Sequence, residues 1–212
     1  MSAPAITIEP MQPEHSGQVS RLLVHGFRGK FGASSGEEDD ELALFFQKLL
    51  LHALSDPNSC RMVALHGGEV AGTLSVQWRP ADGIRRKPGL PPWKDLKRMG
   101  RLSAIKQLAR LYFLSHSPDP GELYVADLAV DPAHQGLGAG ALLLRWARQY
   151  AEADPSLNRL SLHVACANER ARQLYERLSI HTEHHTSSWT RYLLFKEAEW
   201  EYRVLHLKDI SR

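Results

Sequence analysis

Glu122-Leu-Tyr-Val-Ala-Asp-Leu-Ala-Val-Asp-Pro-Ala-His-Gln-Gly-Leu-Gly-Ala-Gly140, running into Ala141-Leu-Leu-Leu-Arg-Trp-Ala-Arg-Gln-Tyr150, is the stretch that decides the fold. Val, Leu and Tyr alternate up to Asp131-Pro132 as a strand would. A glycine-crowded turn follows and opens directly into an apolar-striped helix. Glycines at 136, 138 and 140 let a ligand approach the backbone, and the unpaired N–H groups of a first helical turn point outwards at it. The chemistry this offers is anion binding, and the guest expected is one that carries phosphate.

Working outwards, Asn158 to Cys166 reads as the next strand and Asn168 to Leu178 as the next helix, with Asn168 as its N-cap. Strand, crossover helix and strand make the two strands parallel neighbours. Upstream, Ala5 to Pro10 reads as a short strand and Pro13 opens a helix with Val19, Leu22, Leu23 and Phe27 on one face. Arg28 to Gly36 reads as a loop, and Ser35 with Glu38 as a capping box before a second helix. The acidic run Glu37 to Glu41 suits either the positive end of that helix or a cationic partner. Cys60 to His66 and Glu69 to Trp78 form a hairpin about Gly67-Gly68. Strand-like pieces near Ile180 to Thr186 and Trp200 to Leu207 close the chain.

The segment 79–120 interrupts this order. Between Arg85 and Arg110 it holds nine Lys or Arg and one acid, Asp95, on a helical pattern from Trp93 to about Leu114. A lid over a phosphate-bearing ligand, a membrane-surface helix, a site for an acidic partner and a helix wearing solvated charge all fit that composition.

The 212 residues, with 43% hydrophobic and 24% charged side chains, suit one domain with an insertion. A net charge of +2 indicates no nucleic-acid partner. Cys60 and Cys166 lack metal-ligand spacing and read as reduced thiols. With no signal-like start and no apolar run of spanning length, the expectation is a cytoplasmic protein.

Two nucleotide readings of the glycine turn fail. A phosphate-binding Walker loop needs Gly-Lys-Ser/Thr, whereas Gly140 is followed by Ala-Leu-Leu. Gly136-x-Gly138-x-x-Ala141 matches the dinucleotide fingerprint, but the next strand ends Val164-Ala-Cys-Ala167 with no acid for a ribose.

Gln135-x-x-Gly138-x-Gly140 after Leu128-Ala-Val-Asp-Pro132, together with Asn168-x-x-Ala171-x-x-x-Tyr175, resembles the acetyl-CoA signature of the GNAT superfamily of acyl-CoA-dependent N-acyltransferases. The resemblance covers roughly residues 5–78 and 121–206 and leaves the basic insertion outside. It implies an α/β (α+β) fold: a mixed, mostly antiparallel sheet with splayed central parallel strands and helices on both faces. It further implies acetyl transfer from acetyl-CoA, as co-substrate, to a primary amine of a small molecule or peptide; a non-catalytic acyl-CoA-binding module of the same fold is the alternative. A homodimer is compatible with the family.

Carried onto this chain, the resemblance implies that the backbone of Leu128, Ala129 and Val130 pairs with the pantetheine arm. Gln135, Gly136, Leu137, Gly138, Ala139 and Gly140 would hold the pyrophosphate, with Asn168 beside them. Tyr175 would protonate the leaving thiolate. The general base stays open among Glu122, Asp127 and His163, each of which also has a purely structural reading. Family members usually carry Gly-Phe after the tyrosine helix, where this chain has Ser179-Ile180, at a strain of roughly 1 kcal/mol if a left-handed residue is kept. His181, Glu183 and His185 are expected on one strand face, yet no fourth partner is defined and no metal site is assigned.

Overall fold

The structure, a computed structural model, describes residues 5–31, 36–54, 56–79, 116–187 and 199–207, with the backbone alone for 27–31 and 36–38. Ser35 and most of the basic insertion, with its expected helix, lie outside the described residues.

The described residues build seven strands: β1 (Thr7–Pro10), β2 (Ser59–His66), β3 (Glu69–Trp78), β4 (Glu122–Val130), β5 (Arg159–Ala165), β6 (His181–Ser187) and β7 (Glu199–His206), of which β6 is wholly polar. They form one sheet in the order β1-β2-β3-β4-β5-β7-β6, antiparallel except where β4 meets β5. Gly67 and Gly68, both at positive φ, turn the β2–β3 hairpin as expected.

Among the described residues four helices cover the sheet: α1 (Ser16–Phe31), α2 (Gly36–Ala53), α3 (Ala139–Ala153) and α4 (Glu169–Arg177). Val19, Leu22, Leu23, Leu42, Phe45 and Leu50 of α1 and α2 pack with Val63 and Ala129 on one face. Leu143, Leu144 and Ala147 of α3 and Tyr175 of α4 pack with Leu74, Val76, Leu123, Val125, Leu160 and Leu162 on the other. The helix α1 runs to Phe31, so Arg28 to Phe31, expected as loop, continue the helix despite Gly29. None of the described helices is long and apolar enough to cross a membrane.

The register carries two irregularities that matter for the site. Between β3 and β4, Val76 faces Val125 and Ser75 faces Asp127, so Ala126 bulges out. Between β6 and β7 a shift between Thr182 and His184 sets His181 opposite Val204 but His185 opposite Glu201. Because neighbours on a strand alternate in face, this corrects the expectation of a His181, Glu183 and His185 row: the bulge sends His181 and His185 to opposite faces.

The junction from α4 to β6 keeps left-handed geometry without a glycine. Ser179 has φ 61°, and among the described residues no other non-glycine has positive φ. Ile180 N–H reaches back to Tyr175 O at 2.9 Å and Ser179 N–H to Glu176 O at 3.0 Å, the paired bonds of a Schellman ending. Those bonds and the burial of Ile180 hold the serine in a conformation that costs about 1 kcal/mol. Ser179→Gly is therefore expected to raise stability by about 0.5–1 kcal/mol, seen as a rise of about 2–4 °C in Tm; an unchanged or lower Tm would refute the strain.

Candidate active site

The parallel pairing of β4 with β5 is short. Glu122, Leu123, Tyr124 and Val125 face Arg159, Leu160, Ser161 and Leu162, and there it stops. Beyond Val125, β4 continues to Val130 paired only with β3, while His163 to Ala165 pair only with β7. A wedge opens between two strands with their backbone groups turned towards it. This is the splay that the resemblance implied, and the edge of Leu128, Ala129 and Val130 lines it.

At the wide end lies the glycine turn. Asp131 accepts from Ala133 N–H at 2.7 Å and caps a 3-10 turn over Pro132–His134, which aims the chain into α3. Gly138, at φ 90°, is the N-cap residue of α3 and has nothing within 4 Å of where a Cβ would stand, so its requirement is conformational and its surroundings are open. Gly140 differs: a Cβ there would meet Val130 Cγ2 at 3.3 Å and Leu174 Cδ2 at 3.4 Å, so its hydrogen lets α3 sit close against β4 and α4. Leu142 N–H closes the first turn of α3 onto Gly138 O at 3.0 Å. The amides of Ala139, Gly140 and Ala141 precede that bond and lack intrahelical acceptors.

A cavity of about 450 Å³ joins these parts. Leu128 and Val130 form one wall, Gln135 to Ala141 the end, and Asn168, Ala171, Leu174 and Tyr175 of α4 the other wall. Arg145, Arg170 and Arg177 add positive charge to the helix end. Arg170 Nη1 donates to Gln135 Oε1 and Asn168 Oδ1 accepts from Ala171 N–H at 3.2 Å, so both sequence motifs are tied together across the cavity. Tyr175 is 6% exposed and its hydroxyl has no hydrogen-bond partner among the described residues. Burial pushes its phenol up to about 12 against the opposing pull of Arg203, so the proton stays on oxygen at neutral pH.

The three base candidates separate. Asp127 is bound at both oxygens by Arg61, Nη1 to Oδ1 at 2.7 Å and Nη2 to Oδ2 at 2.6 Å, and Arg61 also reaches Thr73. That fork leaves it a strut between β2 and β4. Glu122 is fully buried; Oε1 accepts from Ser161 Oγ and from Tyr202 Oη at 2.7 Å, Oε2 from Asp119 N–H at 2.6 Å, and His116 Nε2 stands 3.2 Å from Oε1 and 3.4 Å from Oε2. Burial alone would raise its pKa, but the bonds from His116, Ser161, Asp119 and Tyr202 outweigh it and hold the carboxyl down at about 2. His163 lies on the face away from α3, its Nδ1 3.1 Å from Tyr124 Oη and its ring 5.0 Å from that of Tyr202.

The residues the sequence did not single out are His116 and Tyr202, which join Glu122, Tyr124 and His163 on this face. The ring of His116 stands 4.3 Å from Tyr124 and 5.3 Å from His163, and His184 stands 4.8 Å from Tyr202. The alternation of β4 gave a signal for Tyr124; no spacing rule reaches from 116 to 202. Elsewhere, Cys166, His185 and Glu201 offer ligand atoms within 4.8 Å of one another. Yet Glu201 already binds Arg203 Nε at 2.6 Å and Arg172 Nε at 2.9 Å, and those guanidinium groups oppose a cation.

Comparison with known proteins agrees with this geometry. The model of the Acetyltransferase (GNAT) family matches residues 23–179. A variant of the spermidine N-acetyltransferase SpeG from Vibrio cholerae is similar in structure at TM-score 0.59 and 17% identity, over 95% of this chain and 94% of that one. NAA60 of Arabidopsis thaliana, solved in complex with acetyl-CoA, aligns at TM-score 0.60 and 16% identity over 96% and 99%. At such identities the likeness is one of fold. No curated protein matches the sequence.

The Glu122 network has a pH signature. Its folded carboxyl lies at about 2 against 4.5 for an ordinary glutamate, so its contribution is complete above the unfolded value and is lost as pH falls towards the folded one. That contribution is on the order of 3 kcal/mol. Glu122→Gln is expected to be less stable than wild type at pH 6, with the gap narrowing as urea midpoints are followed down to pH 3; a constant gap would contradict the assignment.

Proposed function

Because the chain belongs to the GNAT acetyltransferase family, we propose that it is an N-acetyltransferase that moves the acetyl group of acetyl-CoA to a primary amine of a small molecule or peptide. The observation that carries this is the wedge: an unpaired β4 edge from Leu128 to Val130, leading from orphaned amides at the start of α3 towards Tyr124 and His163. A ligand with pyrophosphate at one end and an amide-bearing arm at the other matches that sequence of groups. Relatives of the same fold include a spermidine acetyltransferase and a protein solved with acetyl-CoA, which supports the choice of donor and of an amine acceptor.

In this reading the amides of Gly136 and of Gly138 to Gly140 hold the pyrophosphate, those of Gln135 and Leu137 being turned back onto Pro132 O and His134 O, helped by the dipole of α3 and by the arginines around the cavity. The pantetheine amides pair with Leu128, Ala129 and Val130 as an added strand would. The bulge at Ala126 turns backbone groups towards the thioester, where a single N–H aimed at a developing oxyanion contributes about 3 kcal/mol. Tyr175, which keeps its proton at neutral pH, donates to the sulfur as the C–S bond breaks. The amine arrives from the opposite face, past Tyr124, His163 and Tyr202. Asp127 and Glu122 are occupied by their own partners and do not meet it.

The test uses CoA and acetyl-CoA on the full chain. CoA at about 100 times its Kd is expected to add about 2.7 kcal/mol of stability, and no melting shift across a broad titration would remove the cofactor. Tyr175→Phe is expected to bind acetyl-CoA as wild type does while acetylating amines about 10²-fold more slowly; equal rates would remove its acid role. A wild type that binds CoA but acetylates neither spermidine, tyramine nor a peptide with a free N-terminus would instead be an acyl-CoA-binding module.

A further inference from the structure

On the acceptor face, the sequence-derived candidates each have contacts of their own: Asp127 with Arg61, Glu122 with Ser161, Tyr202 and Asp119, and His163 with Tyr124. An alkylammonium with pKa ~10.4 has no lone pair, so a group near neutral basicity must take the proton before attack. His163 has Nδ1 engaged with Tyr124 Oη. Glu122 lies beneath the surface, fully buried.

His116 is different in kind. Glu122 is ionised, so its oxygens only accept, and the hydrogen in the contacts at 3.2 and 3.4 Å must sit on His116 Nε2. A neutral imidazole has one N–H, and fixing it at Nε2 leaves the lone pair on Nδ1. That nitrogen has no partner among the described residues, and the side chain is 26% exposed. A carboxylate that orients an imidazole and leaves its other nitrogen bare is the arrangement by which a histidine serves as a base.

We propose that His116, held by Glu122, is the general base that takes the proton from the attacking ammonium, and that the segment between β3 and β4 thereby contributes a catalytic residue. The inference rests on the acetyltransferase reading above. Its ring faces Tyr124 of β4 at 4.3 Å, His163 of β5 at 5.3 Å and Tyr202 of β7 at 6.0 Å. Arg159 approaches Glu122 at 3.8 Å and is shared with Asp119 at 3.1 Å; Glu122 is the carboxylate that reaches the ring.

The balance over one turnover is complete. The ammonium gives one proton to His116 Nδ1, which passes it to solvent. The freed nitrogen attacks the thioester carbonyl, a C–N bond forms and the C–S bond breaks. The nitrogen sheds its second proton to solvent as the amide forms, and Tyr175 gives its proton to the thiolate and regains one from solvent, so that one proton in all is released.

The test is the pH dependence of kcat/KM for His116→Gln, whose side-chain amide can still donate to Glu122 but has no basic nitrogen. With spermidine, tyramine or a peptide lysine, whichever wild type acetylates best, the variant is expected to lose about 10²-fold at pH 7.5. The gap should close as pH approaches ~10, where the amine is neutral without help. A loss that stays constant with pH would mean that His116 is structural, and no loss would remove it from the reaction. Nitrogen NMR of wild type gives a second readout that does not depend on turnover: neutral His116 protonated at Nε2 is expected, and protonation at Nδ1 overturns the proposal. Wild type that binds CoA but acetylates no amine defeats the acetyltransferase reading itself, a result distinct from an active wild type matched by His116→Gln.

Discussion

The early end of one hydrogen-bond ladder organises this molecule. Four residue pairs hold β4 to β5, from Glu122–Arg159 to Val125–Leu162, and the strands then part. A buried strand edge with unused N–H and C=O groups is costly unless a partner satisfies it. The bulge at Ala126 begins the divergence and the α3 start lies at its far end, so strand edge, helix amides and Tyr175 share one cavity. A backbone vacancy and a helix dipole are rigid features, which lets them act on a ligand without reorganising.

The paired segment itself is held from the other face by Glu122. Its carboxylate gathers donors from Ser161 of β5, Tyr202 of β7, the Asp119 backbone and His116. A buried charge with that many donors keeps its ionisation and lends order to the groups around it. The same interaction that closes the narrow end of the wedge therefore fixes the tautomer of an imidazole at the acceptor face.

Much of the cavity between β4, α3 and α4 was legible beforehand because its parts are local. Gly138 and Gly140, the Asn168 cap and Tyr175 lie within two strand-to-helix turns, and each answers to a backbone angle, an orphaned amide or a helical period. The Asp127 fork to Arg61 was not legible, since it joins residues 66 positions apart. Nor was the division of His181 from His185, because the β6 bulge depends on pairing with β7. Ser179 shows the reverse case: local preference argued against a left-handed residue, and tertiary burial of Ile180 overrode it.

The sequence by itself determined the family, the parallel β4–β5 unit and the glycine turn that opens α3, since turn chemistry and hydrophobic period are properties of consecutive residues. Only the tertiary structure decided which groups meet at the acceptor face. His116, Glu122, Tyr124, His163 and Tyr202 come from four separate segments, and strand register, a one-residue bulge and the face each side chain takes bring them within hydrogen-bond or ring contact. A slip of one residue in any of those strands would turn its side chain to the face covered by α3 and α4 instead.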